Sequence, residues 1–439
     1  MRPRKFTYSL VNQGKKELTL QPHYIAIYMA SDITSSSPTI FTLPNGLRCV
    51  HSRNVSEVTY FGIAVNAGSR DDGVHDGLAH FVEHTLFKGT NKRKSHHISS
   101  RMESVGGELN AYTTKEDTFL YTIAPTGHLE RAIELVADIV ANSSFPASEI
   151  NMEREVIIEE INSYRDSPAE SVFDDFEDNI YSSSGMGHNI LGSPESVKEI
   201  EGVDCRSFLD RFYTSVNMVV YCADASPTSV VERLFTKHLG SLKLHGTGPE
   251  RTIPKILPSF DIVNSHSGHQ AHTILGVRTF NRRDPRRFAL YLLNNYLGGP
   301  GMNSRLNREL RDKRGYVYTV ESIVALMSDC GLFQVYFGCD TTRMDACIRL
   351  TVNELKRLAE SPLKPATLDA AKRQYCGQLM VSTDNREAVA MSLGKSLLHH
   401  DCVWSAAMTA ERIREVKAEE VRLLAEELLE SGFSRLTIC

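Results

Sequence analysis

The chain has 439 residues, 41% hydrophobic and 23% charged, with a net charge of −5. That length asks for two or three domains, the composition is that of a globular protein, and the charge supplies no basic field for nucleic acid. No apolar run reaches the length needed to span a bilayer, so no membrane partner is expected.

Nine cysteines, an odd number with no C-x-x-C pair, fit reduced thiols better than a disulfide framework and point to a reducing compartment. The start, Met1-Arg2-Pro3-Arg4-Lys5, is followed by polar residues, and the apolar stretch Tyr24 to Ala30 is too short and too late for a secretory core. A cytoplasmic location is therefore expected, with residues 1–37 as a tail in which Met29 offers an alternative start. Around Pro285, Arg282, Arg283, Arg286 and Arg287 form the one dense basic cluster, read as a solvated turn between a strand and a helix.

In chain order, Thr39 to Thr42 reads as a strand, Pro44-Asn45-Gly46 as a turn, and Leu47 to Ser52 as the return strand. Val58 to Ala67 alternates as a further strand, and Gly77 to Lys88 and Ser95 to Val105 read as helices. Gly106-Gly107 releases a strand from Glu108 to Thr114, paired with Thr118 to Ala124. His128 to Ala141 and Ala147 to Asp166 are longer amphipathic helices. A Gly/Pro-punctuated connector follows, carrying Gly246, Gly248, Pro249, Pro254 and Pro258. Beyond it the order repeats: strand Ala271 to Val277, helix Arg286 to Leu297, strands Glu321 to Met327 and Gly331 to Gly338, helix Thr341 to Glu360.

Glu195 to Ile200 lines up with Glu411 to Val416, and the last strands of the halves, Met218 to Ala223 and Ser434 to Cys439, run in step. Self-similarity over half a chain indicates a duplicated domain. The predicted architecture is α+β: a domain over 38–240, a linker over 241–260 and a homologous domain over 261–439, each an antiparallel sheet packed with helices.

The chemistry concentrates in Leu78-Ala-His-Phe-Val-Glu-His-Thr-Leu-Phe87, which carries H-x-x-E-H. His80 and His84 sit one helical turn apart, so both imidazoles reach one ion, and Glu83 lies close enough to contact a water there. Aligning the halves sets Tyr291, Asn294 and Asn295 against His80, Glu83 and His84, so only the first half can hold the metal.

H-x-x-E-H is the inverted zinc-peptidase pattern. Together with Gly106-Gly-Glu-Leu-Asn-Ala-Tyr-Thr113 and Glu153-Arg-Glu-Val-Ile-Ile-Glu-Glu160, the segment closely resembles the pitrilysin family, also called the insulinase or M16 peptidases. The likeness runs from Thr39 to the C-terminus and is nearest to the branch of the mitochondrial processing peptidase β subunit and its bacterial relatives. It implies one Zn2+ per chain held by His80, His84 and Glu160, with Glu159 the competing neighbour, and Glu83 as the base that activates water. It also implies a catalytic-site glutamate at Glu153, two turns before Glu160, and substrate contacts at Asn110 and Ala111 on an edge strand. In the second half, Gly298-Gly-Pro-Gly-Met-Asn-Ser-Arg-Leu306 and Leu310-Arg-Asp-Lys-Arg-Gly-Tyr-Val-Tyr318 resemble the segment that completes the site, with Arg311 and Tyr318 on the substrate carbonyl and Tyr316 as competitor. The implied activity is endoproteolysis of peptides or unfolded segments in a closed chamber. That chamber needs four such domains, hence a homodimer, or alternatively a heterodimer with a related subunit.

Overall fold

The computed structural model describes residues 37–439 apart from 183, 245 and 267; the expected tail and the Met29 start lie outside the described residues, save for position 37. The first half contains β1 (Thr39–Thr42), β2 (Arg48–Arg53), β3 (Val58–Val65), α1 (Leu78–Thr85), α2 (Ser95–Glu103), β4 (Glu108–Thr113) and β5 (Thr118–Pro125). It continues with α3 (Leu129–Asn142), α4 (Ala147–Arg165), α5 (Pro168–Ile180), α6 (Pro194–Glu199), α7 (Gly202–Phe212), β6 (Met218–Asp224) and α8 (Thr228–Leu239). The second half contains β7 (Asp261–Asn264), β8 (Gln270–Thr279), α9 (Arg287–Gly298), β9 (Val317–Leu326), β10 (Gly331–Asp340) and α10 (Met344–Glu360). It closes with α11 (Pro365–Ser382), α12 (Arg386–His400), α13 (Ala406–Glu415), α14 (Ala418–Glu430) and β11 (Ser434–Ile438).

The strands form two sheets, ordered β1-β2-β6-β3-β5-β4 and β7-β11-β8-β10-β9. Two sheets packed with helices are the α+β architecture read from the sequence. Each sheet departs from a purely antiparallel one at a single pair, β2 with β6 and β7 with β11, which run parallel. In both cases the closing strand returns after a helical crossover, the connection that parallel pairing requires. β9 begins at Val317, four residues before the expected start, because Val317 and Val320 are already buried against the core.

Side-chain alternation puts Phe61, Ile63 and Val65 of β3 and Val220 and Cys222 of β6 on the face covered by α1, α3 and α7. The opposite face, with Val50, Ala64, Phe119, Val219 and Tyr221, is covered by Ala390, Leu393 and Leu397 of α12, a helix from the other half. The exchange is reciprocal: α5 of the first half lays Val172, Phe176 and Ile180 against Ile274, Leu332 and Leu436 of the second sheet. Glycine makes both contacts possible. A Cβ on Gly276 would fall 2.5 Å from the Phe176 ring, and one on Gly394 would fall 2.4 Å from the Tyr221 ring. Each half thus buries a sheet face with its neighbour's helix.

Polar bonds reinforce this exchange. The turn between β4 and β5 carries Lys115, Glu116 and Asp117, all buried. Glu116 accepts from Arg70 at 2.7 Å, from the Ser328 N–H at 2.9 Å and hydroxyl at 2.6 Å, and from Arg282. Asp117 lies 3.4 Å from Lys395 and 2.9 Å from His399 of α12. The connector joins in through Arg251, which donates to Asp71 at 2.7 Å and 3.0 Å and to the Glu116 carbonyl at 3.0 Å. The basic cluster read as a solvated turn is accordingly split. Arg283 and Arg286 are exposed, whereas Arg282 is buried on Glu116 and Arg287 is buried against Phe288 and Trp404. The nine cysteines stand free, six of them buried. Among the described residues no helix is long and apolar enough to cross a membrane.

Candidate active site

α1 is an eight-residue helix whose Phe81, Val82 and, just beyond its end, Leu86 pack into the first core. That packing turns His80 and His84 toward α4, their rings 4.5 Å apart between centroids. α4 answers with a stripe at seven-residue spacing: Glu153 and Glu160 face α1, Ile157 is buried between them, and Glu159 is exposed on the other side.

The Nε2 atoms of His80 and His84 lie 3.9 Å and 3.6 Å from Glu160 Oε2. One ligand atom from each of the three residues lies within 4.8 Å of the others. Donors around a tetrahedral zinc are about 3.4 Å apart, so small side-chain adjustments suffice for this trio to hold that ion. Two imidazoles and a carboxylate with one position left for water is also the donor set of a catalytic zinc centre. Glu159, the competing neighbour, points away from the cluster.

Burial and the nearby His84 push His80 down to about 3, which keeps it neutral and able to bind a cation. In His84, burial acts in the same sense but is outweighed by the Glu153 hydrogen bond and the charges of Glu83 and Glu160, so its affinity for a proton rises. Three carboxylates around one imidazole therefore make a strongly electronegative pocket, suited to a divalent cation. Burial raises Glu160 and Glu83, with His84 opposing in both and Thr113 also opposing at Glu83. A carboxylate raised in this way is a better proton acceptor near neutral pH.

Glu153 stands behind the trio. Its Oε1 lies 3.8 Å from Nδ1 of His84, and its Oε2 pairs with Lys88. A carboxylate on the far nitrogen of a ligating histidine fixes its tautomer and ring orientation. Glu153 thus sits against His84 and Lys88. Lys88, which completes this arrangement, was missed; its place one turn after His84 was the available signal.

β4 ends its sheet, paired with β5 and open on its other side. Asn110 and Ala111 are half-buried there, Asn110 donating to Glu108 at 3.2 Å. Arg311 and Tyr318 lie elsewhere. Arg311 sits in a π-helical turn, Asn307–Asp312, with its guanidinium 5.4 Å from the Tyr318 ring centroid and 3.5 Å from the Met302 sulfur. Tyr318 is 72% exposed, whereas Tyr316 is half-buried beside Arg343. Among the described residues, no hydrogen bond, ion pair or ring contact joins Arg311 or Tyr318 to His80, His84 or Glu160. The structure brings together His80, Glu83, His84, Glu153 and Glu160, and leaves Arg311 and Tyr318 apart from them.

Comparison with known proteins places this geometry. Residues 48–194 match the model of the insulinase family, peptidase family M16, and residues 203–375 match that of the peptidase M16 inactive domain. The chain belongs to the M16 family of peptidases. It is 34% identical over 413 residues to an uncharacterized zinc protease of Mycobacterium tuberculosis, covering 91% of this chain and 92% of that protein. A probable mitochondrial-processing peptidase subunit beta of Arabidopsis thaliana is 28% identical over 445 residues, covering 96% and 82% of the two chains. A protease from Helicobacter pylori superposes with a TM-score of 0.83 at 22% identity over 92% of this chain and 99% of that one. The M16 inactive domain from Pseudomonas fluorescens gives 0.85 at 19% identity over 92% and 98%. The family supports a zinc-dependent metallopeptidase.

Proposed function

We propose that this chain is an endopeptidase in which His80, His84 and Glu160 hold one zinc ion per chain and Glu83 is the general base. The observation that carries the reading is the convergence of one ligand atom from each of these three residues within 4.8 Å, with Glu83 raised by burial beside them. When bound, zinc supplies the Lewis acidity that makes a water molecule a competent nucleophile near neutral pH. Glu83 takes the proton of that water and returns it to the leaving amine. Glu153 holds His84 in orientation, and Lys88 holds Glu153.

Substrate joins as an extra strand on the open edge of β4, alongside Asn110 and Ala111, so recognition is mainly of peptide backbone. This favours peptides and unfolded segments over folded proteins. Arg311 and Tyr318 meet the substrate carbonyl from a second copy of the chain. The exposure of Tyr318, and the lack of any bond from either residue to His80, His84 or Glu160 among the described residues, support a homodimer with composite sites around a closed chamber. The likeness to a mitochondrial-processing peptidase subunit beta supports a second reading, a heterodimer with a related chain.

Glu83→Gln tests the assignment. The variant is expected to retain zinc while cleavage of an unstructured quenched peptide drops about a thousandfold or more, the loss of a general base. Unchanged turnover sinks the role given to Glu83.

A further inference from the structure

α1 has only eight residues and is preceded by Gly77 at its N-cap, which has no side chain to cap it. A two-turn helix is too short to hold itself in place, and its first N–H groups need acceptors. They find one in Asp72, whose buried carboxylate accepts from the Gly77 N–H at 2.6 Å and from the Ala79 N–H at 2.7 Å. Ala79 directly precedes His80.

Asp72 is itself held. His188 Nε2 lies 3.0 Å from Asp72 Oδ2, and its Nδ1 lies 3.6 Å from Asp76. The His188 carbonyl accepts from Lys115 Nζ at 2.6 Å, and Lys115 is buried with Glu177 at 3.4 Å. The backbone around His188 also rests on the start of α1. A Cβ on Gly77 would meet the Leu191 carbonyl oxygen at 2.5 Å, and one on Gly192 would meet the Asp76 carbonyl oxygen at 2.1 Å. Both glycines have positive φ, +92° and +75°, so the close approach and the backbone conformation each demand glycine.

We propose that Asp72 and His188 form the positioning pair of the metal-binding helix, fixing the N-terminal turn of α1 so that His80 meets His84 and Glu160. The inference rests on the reading of those three residues as the zinc ligands. Zinc sites tolerate only about 0.2 Å of error in ligand distance, so a turn that rocks loses affinity before it loses fold. His80 is the ligand affected, because it directly follows Ala79, whose N–H donates to Asp72, whereas His84 lies a turn further along the helix. Neither Asp72 nor His188 touches substrate; both act through the helix.

The test uses the full chain with His188→Ala and His188→Gln, the glutamine amide being able to donate to Asp72 where Nε2 does. Three readouts are compared: zinc affinity by chelator competition, the visible absorption spectrum of the cobalt(II)-substituted protein, and the melting temperature. Glu116→Gln, which disturbs the contact between the halves, serves as the control for general destabilisation. His188→Ala is expected to bind zinc about tenfold more weakly, at the lower end for groups behind a metal ligand, with an altered cobalt spectrum. His188→Gln recovers most of both, and Glu116→Gln leaves both at wild-type values. The inference fails if His188→Ala binds zinc like wild type, if His188→Gln is as impaired as His188→Ala, or if Glu116→Gln shifts the cobalt spectrum equally. Absence of zinc binding in the wild type would instead refute the underlying ligand assignment.

Discussion

Replacing Glu116 by glutamine should loosen the two halves by an amount that the ion pairs around it define. Glu116 is 1% exposed and meets three guanidinium groups, but two of them have other carboxylates. Arg70 donates to Asp329 at 2.7 Å and 2.6 Å, and Arg251 donates to Asp71. Only Arg282 has Glu116 as its sole ion-pair partner among the described residues, the Asp117 carboxylate acting on it at longer range. The substitution therefore strands one buried cation rather than three. Removing one partner of a buried pair costs about 3–5 kcal/mol, and because the glutamine carbonyl still accepts a hydrogen bond, about 3 kcal/mol is the expected figure. Spread over the unfolding entropy of some 400 residues, this lowers the melting temperature by about 3–4 °C.

Adding Arg282→Met should recover most of that loss, since a neutral pair leaves no orphaned charge. The pH dependence carries a second signature. Burial opposes the ionisation of Glu116, but the charges of Arg282 and Arg251 outweigh it and hold its pKa below the ordinary value. A depressed carboxylate contributes its stability in full above the unfolded pKa of about 4.3 and loses it as pH falls toward the folded value. The gap between wild type and Glu116→Gln should thus be constant from neutrality to about pH 5 and close below about pH 4. Calorimetric scans of wild type, single and double variants between those limits measure it. A single variant as stable as wild type, or a double variant no better than the single, refutes the reasoning.

Two further predictions concern the site. Mixing equal amounts of Glu83→Gln and Arg311→Ala protein under exchanging conditions should restore about a quarter of wild-type activity, because random pairing in a two-fold dimer makes half the dimers mixed, each with one intact composite site; no recovery over the separate variants contradicts the homodimer. Glu160→Gln should abolish zinc retention on dialysis whereas Glu159→Gln should leave it at wild type, checked by elemental analysis, and the reverse pattern would exchange their roles.

How much of this could be read in advance follows from the range of each interaction. The H-x-x-E-H spacing is local geometry, so His80, Glu83 and His84 were legible from helical periodicity alone. Glu160 came only through the family resemblance, since spacing alone does not choose it over Glu159; the structure sets Glu160 toward α1 and leaves Glu159 exposed. What depends on distant partners was not legible. Arg282 has the look of a solvated arginine until the fold brings Glu116, 166 positions away, onto it. The exchange of α5 and α12 between the sheets is equally invisible, because an amphipathic helix declares an apolar face but not whose sheet will cover it. The partners of Glu153 were hidden for the same reason: Lys88 and the ring of His84 are on another helix or just beyond it. The resemblance pointed to Arg311 and Tyr318, and only the structure shows that, among the described residues, neither bonds to His80, His84 or Glu160.

The central claim is that His80, His84 and Glu160 hold the zinc on which peptide cleavage depends. The most direct measurement strips the wild-type chain with a chelator and titrates zinc back while following cleavage of a quenched unstructured peptide. The account predicts no cleavage in the stripped protein and a linear return that saturates at one zinc per chain, absent in a His84→Ala variant. Cleavage that persists without zinc, or returns equally in His84→Ala, would contradict it.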